Sequence, residues 1–276
     1  MRNNLLLLSL SCFLCLSACK NETKKKSTEE KEVQENQEEI KQENSSSLKQ
    51  QKGDLSLYPA SLAKEFPNAE LTLKKPLASD IKAGKHQFEF EVGNYQLTKQ
   101  TPDAEERHCA NSAKGQHIHF ILNNAPYRAE YEPEFEAELM EGNNVVLAFL
   151  SRSYHESIKH QSAYIFKNFS IGESAFQFDE NAPHLFYSRP KGEYEGEYTE
   201  KILVDFFLLN TTLSEDGNKV RLSIDEETFI LTNWQSYFVE GLSKGKHTFR
   251  LELLDAKGEL IDGPFNDSGE RVIELL

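Results

Sequence analysis

Beyond residue 19 this chain has a single cysteine. Four are present in all, and Cys12, Cys15 and Cys19 stand at the front, which leaves Cys109 alone. No internal disulfide can brace whatever folds after residue 19. Cys109 must then be a small buried hydrophobe, a metal ligand or an unpaired thiol. Long apolar runs are also missing, and the stretch from Leu5 to Leu16 is too short to span a bilayer as a mature helix. Positive charge is in deficit, with 31 Lys and Arg against 45 Asp and Glu and a formal charge of −14. That balance excludes nucleic acid as a partner, because long-range repulsion would slow encounter. The GxSxG, HExxH, P-loop and GxGxxG signatures are absent, so no familiar catalytic machinery is legible and a non-enzyme is expected.

The segment 20–52 lacks core-forming side chains, apart from Val33, Ile40 and Leu48. Its eight Lys balance its eight Glu, so the acidic excess belongs to the rest of the chain. Such a segment cannot offset its ordering entropy by burial. It reads as a disordered tether with a coil dimension of roughly 30–35 Å. Ahead of it stand Arg2, the apolar stretch and then Leu16-Ser17-Ala18-Cys19. This is the layout of a secretory signal, and it resembles the signals of bacterial lipoproteins. The resemblance implies removal of residues 1–18 and acylation of Cys19, which would hold the chain to a lipid bilayer. Lys20 in place of an acidic residue implies, by the same resemblance, an outer-membrane destination.

From about residue 66 the pattern changes. Runs rich in Val, Ile, Leu, Phe, Tyr and Thr recur between Gly, Asn, Asp and Pro clusters, among them HQFEFEV (86–92), QHIHFIL (116–122), NVVLAFL (144–150), KILVDFFLL (201–209) and HTFRLELL (247–254). Such spacing predicts an all-β chain. The halves also match. GQHIHFILNNAPYRA (115–129) aligns without a gap on GNKVRLSIDEETFIL (217–231), and 139–158 aligns on 242–261 with one insertion. The expected architecture is two tandem immunoglobulin-like β-sandwich domains, 53–172 and 183–276, joined by a linker at 173–182.

Strand alternation places the histidines. Ile118, Phe120 and Leu122 share one face of QHIHFIL, and His117 and His119 share the other. The second repeat puts Lys219 and Arg221 where the histidines stand, so that face is expected to be the outer one. In such a sandwich the third strand (116–124) pairs with the sixth (144–153). The loops carrying His108 and Cys109, and His155 and His160, should then meet His117 at one pole. Two imidazoles of a His-x-His lie about 6.5–7 Å apart along a strand, near enough to converge on one ion. Imidazole with thiolate suits copper or zinc. The candidate metal ligands are therefore His117, His119, His155, Cys109 and His160, with Glu156 or Asn111 placed to orient one of them. Metal binding is the alternative here; the leading expectation is a metal-free surface for a peptide or protein ligand, formed by Tyr154, Arg152, His155, Asn111 and Gln116.

The strings CANSAKGQHIHFILNNAPYRAEYEPEFE (109–136), LAFLSRSYHESIKH (147–160) and FYSRPKGEYEGEYTEKILVDFFLLNTTLSEDGNKVR (186–221) resemble a family of exported bacterial proteins often labelled phosphopeptide-binding protein. The resemblance covers roughly 66–276. It implies ligand binding rather than catalysis. Lys114, Arg152, Lys159, Arg189 and Lys191 are the cations that could meet a phosphorylated ligand. The sequence thus points to a membrane-anchored binding protein working through the histidine-rich pole of its first domain.

Overall fold

The computed structural model describes residues 49–60, 66–77, 81–174 and 177–276. The leader (1–18), Cys19 and nearly all of the tether lie outside them. In chain order the strands are β1 (Gln50–Lys52), β2 (Leu55–Pro59), β3 (Glu70–Lys75), β4 (Gly84–Gly93), β5 (His117–Leu122), β6 (Arg128–Glu130), β7 (Glu134–Leu139), β8 (Gly142–Ser151) and β9 (Tyr164–Ile171). The second half adds β10 (His184–Arg189), β11 (Gly192–Tyr194), β12 (Ile202–Leu209), β13 (Lys219–Ile224), β14 (Glu227–Leu231), β15 (Tyr237–Glu240), β16 (Gly245–Leu254) and β17 (Arg271–Leu275). A single helical turn, α1 (Ala104–Arg107), interrupts the loop before β5. Among the described residues no helix is long and apolar enough to cross a membrane.

These strands form two sandwiches. In the first, the sheet β3-β4-β7 faces the sheet β6-β5-β8-β9. In the second, β1-β2-β15-β12-β10 faces β11-β17-β16-β13-β14. Both place hairpin-connected and crossover strands in the immunoglobulin-like order, so the all-β tandem-sandwich expectation holds. The repeat holds as well, since β5 and β13 are equivalent strands and β8 and β16 their antiparallel partners.

Alternation builds each core. Ile118 and Phe120 of β5 point inward, against Phe88, Leu139, Val146, Leu150 and Phe169. Val220 and Leu222 of β13 do the same in the second sandwich, against Leu185, Val204, Phe206, Phe249 and Leu251. Each buried Phe or Leu contributes roughly 1.5–3 kcal/mol relative to exposure.

Two expectations are corrected. Residues 50–52 and 55–59, assigned to the tether and the first sandwich, form β1 and β2. β2 pairs antiparallel with β15 of the second sandwich, and Leu57 is fully buried in that core. The chain therefore enters through the second sandwich before it builds the first. The other correction concerns the face bearing His117 and His119. It is opposite the first core, as alternation requires, but it is covered. Ile121, Tyr127, Val145, Leu147 and Phe149 pack against Phe186, Phe207, Leu209 and Phe265 of the second sandwich. Phe149 stacks on Phe207 with ring centres 5.0 Å apart. The two sandwiches share a third core, and the histidines lie at its edge.

Candidate metal centre

β5 delivers His117 and His119 to the shared face, and its antiparallel partner β8 ends opposite His117, at Ser151. The chain then turns back through residues 152–156. His155 sits in that turn with φ 70°, its N–H donating to the carbonyl of Arg152 at 2.9 Å. Tyr154 anchors the turn from below. It is buried, its hydroxyl donates to the Asp103 carboxylate at 3.3 Å, and Arg107 lies over its ring. His155 is thus carried to the two strand histidines.

The three imidazoles meet. One ring nitrogen from each of His117, His119 and His155 lies within 4.8 Å of the other two. His117 Nε2 is 3.1 Å from His155 Nδ1 and 3.0 Å from His119 Nε2. Two nitrogens bound to one zinc or copper ion at about 2.0–2.1 Å stand roughly 3.3–3.5 Å apart, so ligand geometry needs the two close contacts of His117 Nε2 to open by a few tenths of an ångström and the His119–His155 separation to adjust to match.

A neutral imidazole has one N–H. His117 Nδ1 donates its proton to the carbonyl of Gly115 at 2.8 Å, which leaves Nε2 as a bare lone pair. That one lone pair faces two nitrogens at hydrogen-bond distance. It can accept well from one of them. The other contact is then lone pair against lone pair, or a second proton competing for the same lobe. A Lewis acid at the common point removes the conflict, because all three nitrogens can donate to it. His119 is already arranged for that role, with Nδ1 3.2 Å from the Ser188 hydroxyl, which can accept its N–H.

A proton would also resolve the conflict, but the surroundings oppose it. Burial is the main cause that pushes His117 down to about 4, with Arg189 adding to it. His119 and His155 are held well below the usual imidazole value, again first by burial, then by the neighbouring imidazoles and by Arg189 and Lys191. His117 and His119 are fully buried, and His155 is partly exposed, so it forms the edge that solvent reaches. Aromatic rings wall the rest. Tyr127 stacks on His119 at 3.6 Å, with its hydroxyl 3.3 Å from His155 Nδ1. Tyr131 lies 5.0 Å from His117, and Phe149 lies 5.1 Å from His119.

The other sequence candidates stand apart. Cys109 is buried among Ala104, Tyr154, Leu203 and Phe238, where burial pushes its thiol up to about 12. It does not join the three imidazoles. His160 donates to the carbonyl of Phe66 at 2.9 Å and accepts from Ser162, and His108 borders a hollow with Glu197, Glu200 and Glu240. Of the set foreseen for a peptide surface, Tyr154, Arg152 and Gln116 are buried, and Asn111 and His155 are half-buried. Gln116 is buried and donates to the carbonyl of Gln96, and Arg152 is buried beside Glu156 and the carbonyl of Ser157. Asn111 donates to Gln100.

Sequence reasoning missed Tyr127, Tyr131 and Ser188 as neighbours of the histidines. Ser188 arrives from the second sandwich, on β10. One signal was present. NVVLAFL in β8 and ILVDFFLL in β12 are apolar on both alternating faces, the pattern of strands covered on both sides.

No protein-family model matches the chain, and no curated protein matches it. Solved structures similar to it include the fibronectin(III)-like modules of CbhA from Clostridium thermocellum, at 11% identity and TM-score 0.25 over 75% of this chain and 93% of that one. Domains FN1–FN3 of chicken CNTN1 match at 8% identity and TM-score 0.21, covering 75% of this chain and 66% of that one. SGBP-B of the Bacteroides ovatus mixed-linkage glucan utilization locus, solved with a mixed-linkage heptasaccharide, matches at 10% identity and TM-score 0.22, covering 76% and 60%.

Proposed function

We propose that this chain is a lipid-anchored protein that binds one transition-metal ion, copper or zinc, on His117, His119 and His155. The observation that carries the reading is the lone pair of His117 Nε2 facing two further imidazole nitrogens at 3.0 and 3.1 Å. Three imidazoles held neutral by burial are ready to act as ligands without first losing protons. In this reading Cys19, once acylated, holds the chain at the outer membrane, and the tether lets the sandwiches stand clear of it. The role is binding rather than turnover. A peptide-recognition role for Tyr154, Arg152, Asn111 and Gln116 has less support, because most of these side chains are spent on contacts inside the protein.

Elemental analysis of the anaerobically purified chain tests the reading. About one copper or zinc per chain is expected, and the His117→Ala, His119→Ala double variant should lose it while keeping the circular dichroism of the parent. A parent chain that binds neither metal after loading would end the proposal.

A further inference from the structure

The three-histidine cluster has an uneven charge environment. Its three ligands are neutral. Among the described residues no carboxylate or thiolate joins them. Two cations stand close by, across Tyr127. Lys191 Nζ is 4.4 Å from the centre of the Tyr127 ring, and the Arg189 guanidinium is 5.7 Å from it, while that ring stacks on His119. Both cations are spent on neutral acceptors. Arg189 donates to the carbonyl of Lys191 and the hydroxyl of Tyr194, and Lys191 donates to the carbonyl of Tyr127. Arg189 is buried, so its charge is poorly screened.

We propose that the three-histidine centre takes a monovalent soft cation, Cu(I), in preference to Zn(II) or Cu(II). This inference rests on the metal-binding reading above and specifies its cargo. Two physical reasons carry it. Repulsion from Arg189 and Lys191 scales with the charge of the ion, so a divalent ion meets twice the opposition that Cu(I) meets. The ligand count agrees. Zn(II) in proteins is almost always four-coordinate and here would have to recruit a water or an outside anion as its fourth ligand. Cu(I), with its lower charge, is satisfied by three nitrogen donors. The aromatic wall of Tyr127, Tyr131 and Phe149 supplies no charged fourth ligand and limits access to the His155 edge.

Competition titrations on the full chain in detergent decide the matter. Cu(I) is delivered under anaerobic conditions against a chromogenic Cu(I) chelator, and Zn(II) against a chromogenic Zn(II) chelator. The parent chain is expected to bind Cu(I) at least tenfold more tightly than Zn(II). Equal affinities, or tighter Zn(II), would overturn the Cu(I) assignment and leave the metal-binding reading standing. Binding of neither ion would overturn both. A second arm uses Lys191→Met, with the lone tryptophan, Trp234, reporting by its emission that the fold is kept. Loss of one neighbouring cation should strengthen binding of both ions, with a logarithmic gain for Zn(II) about twice that for Cu(I), for example threefold for Cu(I) and roughly tenfold for Zn(II). Equal gains for the two ions would show that charge does not set the preference.

Discussion

At the residue scale the cluster depends on imidazoles that stay neutral, each with one N–H, in the folded chain. His117 has an ordinary pKa near 6.5 in the unfolded chain and is pushed down to about 4 when buried. Between those values the unfolded chain binds the extra proton and the folded one does not. Stability therefore rises with pH across this window and is lost as pH falls from 6.5 toward 4. His117 alone accounts for about 3 kcal/mol of that loss, and His119 and His155 act in the same direction. Urea midpoints measured without metal at pH 7, 6 and 5 should fall steeply. They should fall less in a His117→Gln, His119→Gln, His155→Gln variant. Parallel curves for the two proteins would show that the imidazoles are not the groups that titrate. Part of this was legible beforehand. The alternation of His117 and His119 against Ile118 and Phe120 fixed which face the histidines share. It could not say what covers that face, because a strand's period reports sides of a sheet and not the neighbour beyond it.

At the scale of elements, the cluster depends on two chain reversals that period-two reasoning does not reach. One is the turn that lifts His155. The other is the entry to β5 at Gly115, whose carbonyl holds His117 Nδ1. Gly115 has φ +84°, and a β-carbon there would lie 2.6 Å from the backbone of Thr98. Gly258 has the same φ of +84° and open space around it. The pair separates conformational strain from steric collision. Gly258→Ala should lower stability by about 1 kcal/mol, within the usual range for such backbone strain. Gly115→Ala should lower it clearly more, and should also weaken metal binding by moving the carbonyl that orients His117. Equal urea midpoints for the two variants would refute the tight approach. The antiparallel pairing of β5 with β8 was readable from the strand order expected of an immunoglobulin-like sandwich, and it correctly brought His155 near His117. The paths of Cys109 and His160 were not readable. Cys109 follows α1 and drops beneath Tyr154, and His160 turns away to Phe66, and no periodic signal marks either course.

For the whole molecule, the decisive feature is that neither sandwich closes its own surface. The first sandwich alone would expose Ile121, Val145, Leu147 and Phe149, and the second would expose Phe186, Phe207 and Phe265. A buried polar pin crosses the same boundary. Asp205 of β12 is fully buried and accepts from Ser157 at 2.9 Å and Ser236 at 2.8 Å, and it pairs with the Lys159 ammonium from the first sandwich. Removing one member of such a pair strands the other, at a cost of about 3–5 kcal/mol. Asp205→Ala should therefore lower the unfolding free energy by about 3 kcal/mol. Because the aromatic core remains shared, the variant should still unfold in one transition followed identically by Trp234 emission and circular dichroism. Two separated transitions would show that the sandwiches are independent and that the histidine centre lies between loosely joined bodies. The route of the chain makes the coupling consequential. β2 enters the sheet of the second sandwich, so the described chain is tied to that sandwich before it builds the first. The edge of the shared core supplies Ser188, Arg189 and Lys191 to the surroundings of the three histidines. A single cooperative unit keeps those three residues in register with His117, His119 and His155.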